Sequence, residues 1–296
     1  MKVFFVHIPK TGGCSLSDCL GRMYSGQSFA FTGDLPRDLE RYKGLSSHEK
    51  EKITLITGHA PLTTEESELD RLPKITFLRN PVERVKSFCQ HVSEGKSEHL
   101  LGEYPPERFD VDRFLDSGDP ELSNFQTKML LGRGSYHIDL DDPGLIVEKA
   151  TEVLENKLVC FGLTECFDES LMLFRKTLGW ENWPVYTKLN TKDEARLIAF
   201  SERNIRKIRE LNELDMRVYD VAAELFRQRV QENVDYLESS LQDFRRIQDA
   251  FLKRQQVRNG MERLTSIVTE APRASIKHLV RTSPLKLLVG VSGRDA

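Results

Sequence analysis

Lys10, Thr11, Gly12, Gly13, Cys14 and Ser15 follow one another between two apolar runs, and residue types in this order suit the holding of a phosphate. Two glycines remove the side chains that would keep a phosphate off the backbone, a lysine brings positive charge, and a serine brings a hydroxyl donor. These groups converge only if the chain turns sharply from a strand into a helix. Val3 to Ile8 is an apolar run of strand length, Pro9 to Gly13 reads as a turn, and Leu16, Cys19, Leu20 and Met23 recur at helical spacing. A helix starting near Cys14 or Ser15 adds unpaired N–H groups and the positive end of its dipole.

The order of residues discriminates between nucleotides. A Walker-type loop, G-x-x-x-x-G-K-[ST], has its lysine after the glycines. Here Lys10 precedes them and no earlier glycine exists, which argues against a P-loop kinase using ATP and magnesium. His7-Ile-Pro-Lys-Thr-Gly-Gly-Cys-Ser15 instead resembles the loop with which sulfotransferases hold the 5′-phosphosulfate end of 3′-phosphoadenosine 5′-phosphosulfate (PAPS). It looks most like the carbohydrate-type family that includes the heparan sulfate 2-O-sulfotransferases. The resemblance implies that Lys10 sits by the oxygen bridging phosphorus and sulfur. It also implies that the backbone of Thr11, Gly12, Gly13, Cys14 and Ser15, with the Ser15 hydroxyl, holds the 5′-phosphate. Threonine or serine is usual in the family where Cys14 stands, so Cys14 is expected to contribute its backbone N–H.

A second constellation lies at Arg79-Asn-Pro-Val-Glu-Arg84-Val-Lys-Ser87. Ile75 to Leu78 reads as a strand, Pro81 fits a first helical turn, and Val85, Phe88, Cys89 and Val92 continue at helical spacing. Arg79 then stands at a strand's carboxyl end with Ser87 two turns into the helix. A planar fork of donors and a hydroxyl suit a doubly charged group. The R-x-P-x-x-R-x-x-S pattern resembles the family's 3′-phosphate site, which assigns that phosphate to Arg79 and Ser87.

Between the two, Ile53 to Ile56 reads as another strand, and Gly58-His59 emerges where an open α/β sheet places its ligand crevice. His59 is the candidate general base, because imidazole titrates near neutral pH. The family carries His-Gly-His here; Thr57 stands where the first histidine would be. The alternative is a histidine bonded to a loop carbonyl. His7 is read as structural, and His48, His91, His99, His137 and His278 have no motif around them.

At 296 residues, with 39% hydrophobic and 30% charged residues, the chain can bury a full core. A net charge of −3 and a pI near 6.2 argue against non-specific binding to nucleic acid. No apolar run is long enough to span a membrane, and Met1 directly precedes the first strand, so a cytoplasmic, bacterial form with no signal peptide or amino-terminal anchor is expected. Five cysteines, an odd number without C-x-x-C spacing, read as reduced thiols.

Farther along, Ser93 to Pro106 is polar and punctuated by Gly95, Gly102, Pro105 and Pro106, which suits a mobile loop bordering the acceptor. Asn124-Phe-Gln126-Thr127, on a helix expected from Asp119 to Leu131, resembles a family element without an assigned ligand. Leu158 to Leu171 reads as strand, turn, and a helix started by Asp168. Leu189-Asn190-Thr191 and Asn212 to Val221 extend the resemblance to about Val230. No Gly or Pro occurs from Val185 to Asn259, which predicts one long helix interrupted at Gly260. Its stripe of Val234, Leu237, Leu241, Phe244, Ile247 and Phe251 packs either on its own domain or on a second copy in a homo-oligomer. The tail beyond Pro272 is either solvated or an interfacial docking helix.

These readings give an α/β fold with a mainly parallel sheet, flanking helices and a P-loop-like phosphate loop, with a sulfotransferase domain over 1–230 and a helical extension over 231–296. The function expected is transfer of a sulfuryl group from PAPS, without a metal, to an acceptor hydroxyl on a carbohydrate. A non-catalytic scaffold built on the carboxyl-terminal helix and, behind it, a P-loop kinase are the alternatives.

Overall fold

The computed structural model describes residues 2–24, 26–64, 66–132, 142–187 and 197–270. Its strands are β1 (Val3–Val6), β2 (Gln27–Phe31), β3 (Ile53–Gly58), β4 (Lys74–Leu78) and β5 (Cys160–Leu163). The helices are α1 (Gly13–Met23), α2 (Leu35–Lys43), α3 (Ser47–Lys52), α4 (Ser67–Asp70), α5 (Pro81–Ser93), α6 (Val111–Leu115), α7 (Phe125–Leu131), α8 (Pro143–Glu152), α9 (Phe167–Leu178), α10 (Glu202–Leu211), α11 (Glu213–Glu232) and α12 (Val234–Glu270).

Every strand pair is parallel, in the order β2-β3-β1-β4-β5. A strand covered on both faces must be apolar throughout, and the four residues of β1 are fully buried at the centre of the sheet. The chain leaves β1 toward β2 and β3 on one side and later crosses to β4 on the other. Val6 pairs with both Gly58 and Thr76, so the carboxyl ends of β1, β3 and β4 finish together. Such a switch point is where open α/β sheets form a ligand crevice. The main core joins these strands to apolar faces of α1, α7, α9 and α11, while a second cluster gathers Val85, Phe88 and Val92 of α5 with Tyr104, Phe114 and Ile208.

The predicted elements are present, with four differences. β1 stops at Val6, so His7 and Ile8 already belong to the loop. The expected helix from Asp119 to Leu131 is a 3₁₀ turn at Pro120–Leu122 followed by α7, because Asn124 takes a left-handed φ of 45°. Asparagine tolerates that region, and its side chain there accepts N–H bonds from Leu214 and Asp215 at the start of α11. The long carboxyl-terminal helix is instead three helices, with breaks at Asn212 and Asn233. Each break is made by an asparagine amide that satisfies backbone carbonyls: Asn212 donates to Ile208 one turn back and to Leu122 from a distant segment, and Asn233 donates to Arg229. Gly260 does not interrupt α12, which continues to Glu270. One glycine costs about 1 kcal/mol in a helix, and its strong helix-forming neighbours offset that.

The chain divides into two compact units, Met1–Arg245 and Arg246–Ala296. Within the first, Leu237 and Phe244 of α12 are buried with Val218, Ala222 and Phe226 of α11, so this half of the apolar stripe packs on its own unit. Leu189–Thr191 and the tail beyond Pro272 lie outside the described residues. No described helix is long and apolar enough to cross a membrane.

Candidate active site

A cavity of about 800 Å³ opens at the carboxyl ends of the central strands. Lys10, Gly12, Gly13, Cys14 and Ser15 form one wall; His59, Arg79 and Ser87 complete the predicted set. Thr11 is the exception. Its side chain is fully buried, its hydroxyl donates to the Ile8 carbonyl (2.8 Å), and its own carbonyl accepts from Thr164 (2.7 Å), so it braces the turn from behind.

Helix α1 begins without a capping side chain and without an acidic residue in its first turn. The N–H groups of Gly13, Cys14 and Ser15 therefore present an uncompensated positive helix end to the cavity. Two glycines make this approach possible. Gly12 adopts a φ of 85°, which favours glycine, and a Cβ on Gly13 would lie 1.9 Å from the His7 ring. Lys10 takes the left-handed region too, at φ 69°, with its carbonyl held by Arg79 Nη1 (3.1 Å). Burial is the largest influence on the Lys10 amine and lowers it below the usual lysine range; Lys96 and Arg79 act in the same direction, and Cys14 and Glu121 oppose them.

His59 follows Gly58 directly out of β3. Its Nδ1 lies 3.0 Å from the His7 carbonyl. A carbonyl only accepts, so Nδ1 carries the proton and the neutral ring keeps its lone pair on Nε2. Burial lowers the His59 pKa below the usual histidine range, and nearby Lys10 adds to this, although the bond to His7 opposes it. The ring is thus neutral at neutral pH, the form a base requires.

The His7 ring packs against that of His59, tilted by 31°, with ring centres 4.5 Å apart. Burial first, then His59 and Lys10, push its pKa down to about 3 from an ordinary 6.5. Between those values the unfolded chain binds a proton that the folded chain refuses, so stability falls as pH drops below 6.5. The expected slope from this residue is about 1.4 kcal/mol per pH unit. Urea unfolding of the protein and of His7→Gln at several pH values checks this: the variant should lose the extra acid sensitivity, and equal slopes would exclude His7 as its source.

The Asn124-Phe-Gln126-Thr127 element acts through positioning. Gln126 grips the strand end at Arg79 with both amide atoms, accepting from its N–H (2.9 Å) and donating to its carbonyl (2.8 Å). Buried Asp215 in turn accepts from the N–H groups of Gln126 and Thr127 at the start of α7. Arg79 is therefore fixed from α11 through α7.

The cavity also includes His7, read from the sequence as structural, and four residues that sequence reasoning left without a role: His91, His99, Glu121 and Lys128. None of these four lies in a quoted motif, and of the lining residues only Ser97 and His99 fell within the segment read as bordering the acceptor. That segment carries 3₁₀ turns at Glu98–Leu100 and Pro106–Arg108, with Leu100 and Tyr104 buried. Among the described residues no group of three or more His, Cys, Asp or Glu is placed to hold a metal ion.

Comparison with known proteins bears on this arrangement. Residues 106–269, more than half of the chain, match the family model described as galactose-3-O-sulfotransferase. Heparan-sulfate 6-O-sulfotransferase 1 of Homo sapiens is 32% identical over 209 residues, covering 60% of this chain and 50% of the human protein. Heparan-sulfate 6-O-sulfotransferase 1-B of Danio rerio is 30% identical over 208 residues, covering 60% and 51%. The chain thus spans about half the length of the curated relatives it matches. A solved structure, mouse sulfotransferase SULT7A1 complexed with PAP, aligns with a TM-score of 0.38 at 18% identity, covering 71% of this chain and 63% of that one. On the extent of the family match, the chain belongs to the galactose-3-O-sulfotransferase family.

Proposed function

We propose that this protein transfers a sulfuryl group from PAPS to a hydroxyl of a carbohydrate. The observation that carries the reading is the convergence on one cavity of an uncapped helix start, Lys10, Arg79 with Ser87, and a neutral His59. The donor supplies the sulfuryl group and departs as adenosine 3′,5′-bisphosphate. The N–H groups of Gly13, Cys14 and Ser15 hold the 5′-phosphate, and the absence of an acidic first-turn residue fits an anion there. Arg79 and Ser87 hold the 3′-phosphate. Lys10 faces the bridging oxygen, where negative charge grows as the S–O bond breaks. His59 Nε2 takes the proton of the acceptor hydroxyl as its oxygen bonds to sulfur.

The carbohydrate acceptor is supported by the names of the family and of the relatives, which specify galactose and heparan sulfate. Kinship with 2-O enzymes rests on the loop and His59, whereas these relatives carry 6-O names. Both positions are therefore arms of an acceptor screen.

Calorimetric titration with adenosine 3′,5′-bisphosphate, against adenosine 5′-monophosphate as a control lacking the 3′-phosphate, tests the donor site. Binding of the first should be much the tighter, and Arg79→Ala should weaken it by about 2 kcal/mol or more. No binding of either nucleotide would leave the cavity as architecture only.

A further inference from the structure

Among the described residues the bulkiest fully buried side chain is a charged one, Arg84 of α5. It stands behind the cavity wall. Its Nε donates to the Pro9 carbonyl (3.3 Å) and its Nη1 to the Glu121 carbonyl (2.5 Å), while Nη2 lies 3.5 Å from Glu121 Oε2 without a hydrogen bond. The guanidinium carbon is 4.9 Å from the ring centre of Phe125 and 5.7 Å from that of Phe88. Pro9, Glu121, Phe88 and Phe125 all line the cavity. A buried cation is costly, and an apolar side chain of similar volume would fill this space without that cost. What an apolar side chain cannot do is grip two separate carbonyls with one rigid fork.

One of those carbonyls belongs to the turn. Arg84 holds Pro9 and Arg79 holds Lys10, so two arginines five positions apart in sequence hold successive carbonyls. The residue between these grips is Lys10, in a backbone region that lysine disfavours. We propose that Arg84 is a positioning residue for Lys10: with Arg79 it clamps the turn so that Lys10 keeps its left-handed conformation and its place on the cavity wall. Through the Glu121 carbonyl the same guanidinium ties a second cavity-lining residue to that turn. The consequence for turnover rests on the sulfuryl-transfer reading; the clamp itself does not.

Arg84→Lys keeps the charge and loses the fork. With Lys10 displaced, kcat should fall about 100-fold. The affinity for adenosine 3′,5′-bisphosphate should stay within about threefold, since Arg84 does not line the cavity. The second readout is independent of catalysis: acetylation of Lys10 by acetic anhydride across pH, followed by peptide mass spectrometry. Lys74, buried in β4 and donating to the Asp70 carbonyl (2.7 Å), is the internal control. Burial holds both amines below the usual lysine range. Arg84→Lys should move Lys10 alone upward toward that range.

Unchanged Lys10 labelling in a folded variant overturns the clamp, and so does a shift shared by Lys74, which would mean general loosening. If the unaltered protein fails to turn over PAPS, the sulfuryl-transfer reading falls, while the labelling still decides the clamp. If Arg84→Lys does not fold, Phe125→Leu removes the ring stacked on the guanidinium without changing charge. The same selective shift of Lys10 is then expected, and its absence overturns the proposal.

Discussion

Replacing His59 with alanine is expected to lower turnover by roughly 100- to 10,000-fold, the range that a positioned base contributes to proton transfer. The bond from Nδ1 to the His7 carbonyl fixes which nitrogen carries the lone pair, and burial keeps the ring neutral. His7 cannot take over, because its Nε2 lies against Gly13, where even a Cβ would collide. Affinity for adenosine 3′,5′-bisphosphate, measured by calorimetry, should be retained. The pH profile of the unaltered protein offers a second check. A base with a lowered pKa places the acid limb of kcat/KM below the ordinary histidine value of 6.5. A fully active His59→Ala would move the base to another residue of the cavity.

Lys10→Ala should cost ~100-fold or more in kcat, the loss typical when a donor aimed at developing charge is removed. The effect belongs to the transition state, since the bridging oxygen gains charge only as its bond to sulfur breaks. Donor-product affinity should therefore fall far less than turnover. Single-turnover kinetics with PAPS, set beside calorimetry, separate the two. Equal losses in binding and turnover would make Lys10 an ordinary ligand of the ground state. Removal of the side chain also relaxes nothing in the clamp, because Arg79 and Arg84 grip backbone carbonyls.

Much of this site was legible along the chain because its parts are local. The turn from β1 into α1 and the turn from β4 into α5 each place strand, loop and helix start within about a dozen residues. Hydrophobic spacing reports such units directly. The breaks at Asn212 and Asn233 were hidden for the opposite reason. An asparagine ends a helix only when the carbonyls it satisfies are in reach, and for Asn212 one of these is Leu122, distant in sequence. The same holds for Asn124, whose left-handed backbone is matched to the start of α11.

The sequence by itself determined the first strand, the loops that follow it and β4, and the residue types that suit a doubly phosphorylated donor. Those properties follow from apolar runs, glycine and proline, which act within a few residues. Only the tertiary structure decided that Thr11 faces inward, that the His7 ring packs on that of His59, and that Gln126 and Arg84 hold the strand end and the turn. It also brought His91, His99, Glu121 and Lys128 to the cavity. Each of these depends on which side chains meet across the fold, and burial and hydrogen-bond pairing between distant segments leave no periodic trace in the chain.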